Sequence, residues 1–587
     1  MTDSVTSDAN SVGLEFDDGV ELAPYAKDYW DIVFEQIGKR LLVKAAIAVL
    51  ALLYASAIYA PLLASDRPFV LSAVDEKAYD SARKSIVGIV NTVGERAEEG
   101  REVYATKDRN LSFDESLDSQ LGALRLRIAT LSDYLPSDKQ SEVESFESRF
   151  DELVTATRDG AAGASDQARS LSDEARALRK SLVASADGSK GFRLEPVRSY
   201  PLFESITWVE AFFMALWAML LTWPIWNRLW NRRYRGDRER IRKARKRKLW
   251  SVLAIASACG CLWAVLVGGS MTFEASVYKD RLDAGTITPE SIVFPPLALG
   301  FAETHVEEPF RPPTWTKKST INEEGAYLFG PRKPAPDPIT GRIPVSTPVE
   351  VRYGEPGRNG AFRHFLGTDG LGRDIFVRML YGGRISLSVG ILSTILLLLI
   401  GVTIGAIAGY FGGWVDLVLS RIIEIVQSIP AFFLILTAVA LVPSEFLHPI
   451  FAIVIVIALV RWTGIARLVR GEFLKLKDQD FVVAARAGGL SPARVIFRHV
   501  LPNALGPVLV AAAFSVAAGI LTESAISFLG FGVQHPIPSW GSVLNASKAS
   551  EHWWIQVFPG VLIFVTVFCY NIVGEGLRDA LDPRMKA

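Results

Sequence analysis

Apolar positions in this chain gather into about eight long blocks, separated by polar stretches of very different character. The blocks fall near residues 41–63, 207–226, 250–271, 385–410, 416–441, 449–462, 504–522 and 553–573. About twenty apolar residues in helical form cross a hydrocarbon core of about 30 Å, so the pattern predicts a polytopic membrane protein of about eight spans. Residues 65–200 carry a soluble amphipathic pattern instead. Leu117, Leu121, Leu124, Ile128, Leu131 and Leu135 alternate spacings of four and three. Pro136 ends that stripe, and Ser137 with Gln140 predicts a capping box for the next helix. Val143, Phe146, Phe150 and Leu153 continue it, and Ala168, Leu171, Ala175, Leu178 and Leu182 follow a Gly/Ala turn. Short stripes joined by short breaks predict an antiparallel helical bundle. Its role, structural or partner-docking, stays open.

Charge then orients the spans. Lys39, Arg40 and Lys44 flank the first block, and residues 231–248 are densely basic. Cytoplasmic loops are enriched in Lys and Arg, so both stretches are expected inside and residues 65–200 outside. The basic loop also suits contact with anionic lipid. The resulting division is a tail and interfacial helix at 1–40 and a first span at 41–64. An extracytoplasmic bundle occupies 65–205, and two further spans occupy 206–272. A Pro/Gly-rich outer region covers 273–384, and a membrane core covers 385–587.

Composition narrows the function. Half the residues are hydrophobic and mean hydropathy is +0.24, while 63 basic residues balance 63 acidic ones. That excludes an ordinary soluble chain and argues against a nucleic-acid partner. The 3 cysteines all fall in apolar blocks and suggest neither a disulfide framework nor a metal site. The pattern G-x-x-x-x-G-K-[ST] is missing, so no phosphate cradle is expected, and no catalytic residues stand out.

The stretch 478–503 is the most informative. Residues 481–487 predict a short helix with Ala484 and Ala485 packed inside, ended by Gly488 and Gly489. Ser491 then suits an N-cap and Pro492 the first helical position. The second helix presents Val495, Ile496, His499 and Val500 and is expected to close at Leu501 and Pro502. Ala484, Ala485, Gly489, His499, Leu501, Pro502 and Asn503 resemble the EAA loop of ABC-importer permeases, with Val483 standing where the name-giving Glu would be. A second stretch resembles the segment before the core spans in the C-type permeases of dipeptide and oligopeptide importers. It comprises Gly367, Thr368, Asp369, Gly372, Arg373, Asp374, Arg378, Tyr381, Gly382, Arg384 and Ser386. Its charged residues are expected to pair with each other or with headgroups on a helix skimming the interface.

The resemblance runs from His364 to the end, and residues 69–308 form an insertion. It implies a permease pairing with a second, related permease, two cytoplasmic ATPase subunits that use the ATP, and an extracytoplasmic substrate-binding protein. The chain itself would hold no cofactor. It also implies a bacterial inner membrane location with both termini cytoplasmic. Residues 478–503, including Ser491 and Arg494, would dock on the ATPase. Asp416, Arg421, Glu424, Gln427 and Pro430 match the family's charged helix and are candidates for the pathway or an interface. Arg421 and Glu424, at i and i+3, equally suit each other. Glu523 would line the pathway, bind a peptide's amino group, or cap a helix at the interface. The cargo stays open among peptides, metal chelates, oligosaccharides and antimicrobial peptides, and a membrane sensor or scaffold using the helical bundle is the reading from another class.

Overall fold

The computed structural model describes residues 36–107, 112–232, 238–267, 277–283, 286–304, 309–313, 364–441, 448–533, 535–549 and 551–581. The acidic tail, part of the basic loop, most of the Pro/Gly-rich region and the last six residues therefore lie outside the described residues.

Helix α1 (Leu41–Ile58) is a candidate span and ends at Tyr59. Strand β1 (Val70–Asp75) opens the inserted region. Four helices follow: α2 (Glu76–Lys107), α3 (Phe113–Ser132), α4 (Ser137–Arg158) and α5 (Ala164–Ser181). The predicted stripes form their core. Leu117, Leu124, Leu131, Leu135, Val143, Phe150 and Ala175 are all fully buried. The capping box expected at Ser137 is not formed. Pro136 holds the N-cap position, and the Gln140 amide donates backward to the carbonyls of Ser132 and Leu135. A box does form one helix earlier, between Ser112 and Glu115.

The inserted region is not helices alone. Strand β2 (Val197–Ser199) and strand β3 (Ile287–Val293) pair antiparallel on either side of β1. Helices α6 (Trp208–Leu221) and α7 (Trp223–Arg232) form one bent pair at 61°, and α8 (Arg238–Leu266) returns from it.

The membrane core begins with α9 (Ile375–Phe411), which is longer than the predicted block because it absorbs the motif stretch. Gly412 and Gly413, both at positive φ, end it. Helices α10 (Gly413–Ser428) and α11 (Ala431–Leu441) were expected as one span. Instead they meet at 83°, because Pro430 breaks the helix between them. Helix α12 (Pro449–Leu476) packs along α9. Gly401, Gly405 and Gly409, recurring every fourth residue, give α9 a flat face for this contact; a Cβ on Gly401 would sit 2.8 Å from the Trp462 carbonyl, and Gly405 and Gly409 are at least as crowded. The chain continues through α13 (Asp480–Ala487), α14 (Pro492–Val495), α15 (Leu501–Leu529), α16 (Trp540–Asn545) and α17 (Trp553–Leu581). Among the described residues six helices are long and apolar enough to cross a membrane, or up to eight if each bent pair counts as one span. The architecture is that of an all-α polytopic membrane protein whose inserted region carries the three-stranded sheet and a two-stranded parallel ribbon (Ala184–Ser185 with Phe192–Arg193).

Candidate functional site

Two polar ends flank the core: a hinge end around residues 478–503 and a motif end around residues 364–384.

At the hinge end α13 finishes in a Schellman motif. Gly489 takes φ +75°, the Leu490 N–H reaches the Ala485 carbonyl at 3.3 Å, and the Gly489 N–H reaches Arg486 at 2.9 Å. Nothing lies within 4 Å of where a Gly489 Cβ would be, so glycine is required by the backbone rather than by crowding. Val482 and Ala485 face the core, whereas Ala484, expected inside, is exposed together with Val483 and Phe481. Helical geometry gives the reason: residues three apart share a face, and only one alanine of the adjacent pair points inward. Ser491 takes the N-cap position with Pro492 at the first helical position, but its side chain makes no capping bond. Val495, Ile496 and Val500 pack with Phe473, while Arg494 and Phe497 are exposed and His499 is half-buried. The second helix does not close at Leu501 and Pro502. A π-turn over Ile496–Val500 carries it straight into α15, with the Leu501 N–H donating to the Ile496 carbonyl. Pro502 sits in the first turn of that helix, and the Asn503 amide caps the His499 carbonyl at 2.7 Å.

Beside it, Asp416 is held by Arg470, with Nη2 to Oδ2 at 2.7 Å, and Gln427 accepts from Arg467. In the sequence both arginines read only as part of a basic flank, since each lies about forty or more residues from its partner. Arg421 and Glu424 pair at 2.6 Å with side chains 69% and 53% exposed. Trp414, Leu417, Ile425 and Phe433 on α10 and α11 are also exposed.

The motif end is internal, not a helix skimming the interface. Gly367 and Gly372, at φ +81° and +71°, fold the loop tightly, and Thr368 bridges to Asp374 and Arg311. Asp374 is the N-cap of α9, accepting from the Val377 N–H at 2.8 Å while its other oxygen meets His364 Nδ1 at 2.8 Å. Asp369 accepts from the N–H groups of Leu371 and Arg373 on one oxygen and from the Arg373 guanidinium on the other. Arg373 also meets His535 Nδ1 at 3.0 Å. Arg384 donates to the carbonyls of Ala57 and Ile58 at 2.7 and 2.9 Å and pairs with Glu210, so it ties α9 to α1 and α6. Glu210 is legible only as the third residue of a capping box begun by Thr207. A cavity of about 260 Å³ opens at this junction, bordered by Asp66, Glu210, Phe301, Tyr381, Arg384 and Ile537.

Glu523 overturns the capping alternative. It lies inside a helix and not at its end: α15 runs through it to Leu529, and its side chain is fully buried. Ser386 and Ser527 each donate to it at 2.7 Å, and the Trp540 N–H bonds Ser386 at 3.1 Å. A buried carboxyl inside a membrane helix is costly without such donors. Glu523 therefore fastens α9, α15 and α16 together. Among the described residues no group of three or more His, Cys, Asp or Glu is placed to hold a metal.

Comparison with known proteins follows the same division of the chain. Residues 401–587 match the family described as binding-protein-dependent transport system inner membrane component. The dipeptide transport system permease protein DppC of Alkalihalophilus pseudofirmus is 41% identical over 226 residues, which cover 38% of this chain and 73% of the relative. The oligopeptide transport system permease protein OppC of Haemophilus influenzae is 45% identical over 223 residues, covering 38% and 70%. The glutathione transport system permease protein GsiD of Pectobacterium atrosepticum is 39% identical, covering 38% and 74%.

Proposed function

The chain belongs to the inner membrane components of binding-protein-dependent transport systems, and on that premise we propose that it forms half of the translocation pathway of an ABC importer for peptides. Peptide cargo rests on the printed names of the dipeptide and oligopeptide permeases above. One observation carries the coupling role. The hinge end presents Phe481 and Val483 on α13, which Val482 and Ala485 anchor from beneath, and Phe497 on the following π-turn to solvent, 40%, 51% and 65% exposed. Apolar side chains clustered on an exposed, well-anchored element mark a docking surface, and the partner that fits is the cytoplasmic ATPase. Two such ATPases, hydrolysing ATP, would push on α13. The π-turn would pass that movement into α15 without a break, and the spans would rock as rigid bodies between inward and outward access.

This reading places the hinge end and both termini in the cytoplasm of a bacterial inner membrane, with the motif end outside facing a substrate-binding protein. The exposed apolar face of α10 and α11 then suits a second permease subunit. Asp416, Arg421, Glu424, Gln427 and Pro430 lie on or at the bend of that same pair of helices. Ala484, Arg494 and His499 belong to the ATPase contact. Glu523 and the residues from Gly367 to Arg384 act as fasteners of the outer end.

Reconstitution with the two ATPases and the second permease tests the proposal. Uptake of radiolabelled di- and oligopeptides into proteoliposomes, driven by ATP and binding protein, is the expected result. Uptake of a metal chelate or an oligosaccharide instead would replace the cargo, and failure to co-purify with any ATPase would remove the transporter reading.

A further inference from the structure

Helix α12 exposes two surfaces of opposite character. In its outer half the exposed positions are Phe451, Ile455 and Leu459, as contact with lipid tails requires. In its inner half they are Gly464, Arg467, Gly471 and Lys475. Arg461, Gly464, Leu468, Gly471 and Lys475 recur at alternating spacings of three and four, so they form one row along the helix. A Cβ added to Gly464 or to Gly471 would meet nothing within 4 Å, so the space over the row is open. The only aliphatic side chain in the row is Leu468, which is half-buried. Such a surface gives lipid tails little to pack against.

Arg461 heads the row. It lies about 18 Å along the axis from Pro449 and about 22 Å from Leu476, near the middle of the span. Its side chain is half-buried, its Nε is screened from solvent, and it makes no hydrogen bond or ion pair among the described residues. Other arginines of the same helix are provided for. Arg470 is neutralised by Asp416, and Arg467 donates to Gln427, which satisfies it without cancelling its charge. An unpaired guanidinium at mid-span is costly in hydrocarbon and is tolerated where it faces a water-filled cavity. The open space over Gly464 and Gly471 continues from Arg461 toward the hinge end.

We propose that this row is the α12 wall of the inner half of the translocation pathway, and that Arg461 binds a carboxylate of the cargo as it passes. Arg467 and Lys475 extend the positive potential inward. The inference rests on the peptide-importer reading and adds the chemistry that the pathway favours, cargo bearing a free carboxylate. A guanidinium meets that group through paired, charge-assisted hydrogen bonds. The open setting keeps the contact hydrated and therefore releasable, and the glycines keep the wall smooth beneath a moving ligand.

The test uses the reconstituted importer in proteoliposomes. The binding protein is saturated with one tripeptide, either as its free acid or as its C-terminal amide, so that only the permease differs between parent and variant. In Arg461→Gln the maximal rate of free-acid uptake should fall about tenfold, while amide uptake stays within about twofold of the parent. Arg461→Lys keeps the charge and should recover most of the free-acid rate. Gly464→Leu, which obstructs the open row, should slow both peptides without lowering the melting temperature, and it decides the matter should Arg461→Gln fail to assemble. An unchanged free-acid rate in Arg461→Gln would overturn the proposal, as would full uptake through Gly464→Leu. So would equal loss of both peptides together with weaker co-purification of the second permease, which would make Arg461 a subunit ion pair. No uptake of either peptide by the parent would remove the peptide reading and this inference with it, an outcome distinct from the others.

Discussion

The two polar ends of the core carry comparable numbers of charged residues and use them in opposite ways. At the motif end the charges are inside: Asp369, Arg373, Asp374, Arg378 and His364 are all buried and interlocked. At the hinge end they are outside, and what is buried is apolar, with Val482, Ala485, Val495 and Val500 in one hydrophobic cluster with Phe473. A buried ionic network tolerates little displacement, because moving one partner strands another charge in a poor solvent. An apolar seat is non-directional and lets a short helix tilt or slide at small cost. One end is built to hold its shape and the other to be pushed.

Removing one charge from the locked end should have the largest effect. Asp369→Ala would leave two guanidiniums without their carboxylate and should cost about 3–5 kcal/mol, seen as a lower melting temperature or loss of folded protein. If the variant melts like the parent, the contrast between the ends fails.

Gly489→Val should be next in size. The positive φ makes a β-branched residue cost about 1–3 kcal/mol locally, and peptide uptake in proteoliposomes should fall at least about tenfold, a change equivalent to about 1.4 kcal/mol. Gly489→Asn should retain more uptake, because asparagine tolerates the left-handed region. Equal loss in both would point to crowding instead of backbone conformation.

Phe497→Ala separates docking from folding. The side chain is largely exposed, so melting should scarcely move, whereas affinity for the ATPase subunit should drop by about 1 kcal/mol or more. Co-purification yield reads that difference.

Arg421→Ala should change stability by less than about 1 kcal/mol, since its pair with Glu424 is exposed and screened. The smallest effect concerns pH. His535 is held below its ordinary value of 6.5, so its stabilising neutral form is fully present above that value. Stability should decline as pH falls through the lower, folded value. His535→Gln should flatten the low-pH limb of a melting-temperature profile.

Much of this was legible in the chain because it depends on local spacing. The glycine hinge at Gly489, the Gly401/Gly405/Gly409 face and the leucine stripes of the bundle are patterns within a few turns. The motif residues from Gly367 to Arg384 were found, but their burial was not. Burial depends on loops returning from residues 535 and 554 to cover them. The pairs Asp416 with Arg470 and Arg384 with Glu210 join distant stretches and leave no trace in periodicity. The capping reading of Glu523 fails for the same reason: a lone carboxyl in an apolar block looks like a boundary until the serines that receive it are known. The small sheet escaped because β2 is only three residues long and β3 sits in a stretch without periodicity.

That sheet ties together segments far apart along the chain. β1 takes one neighbour from before the extra membrane hairpin and the other from after it. The hairpin is therefore a loop cinched at its neck, and the polypeptide through it need not be continuous to stay in place. A gene divided between α7 and α8 should yield two fragments that still find each other, each bringing one edge of the same clasp.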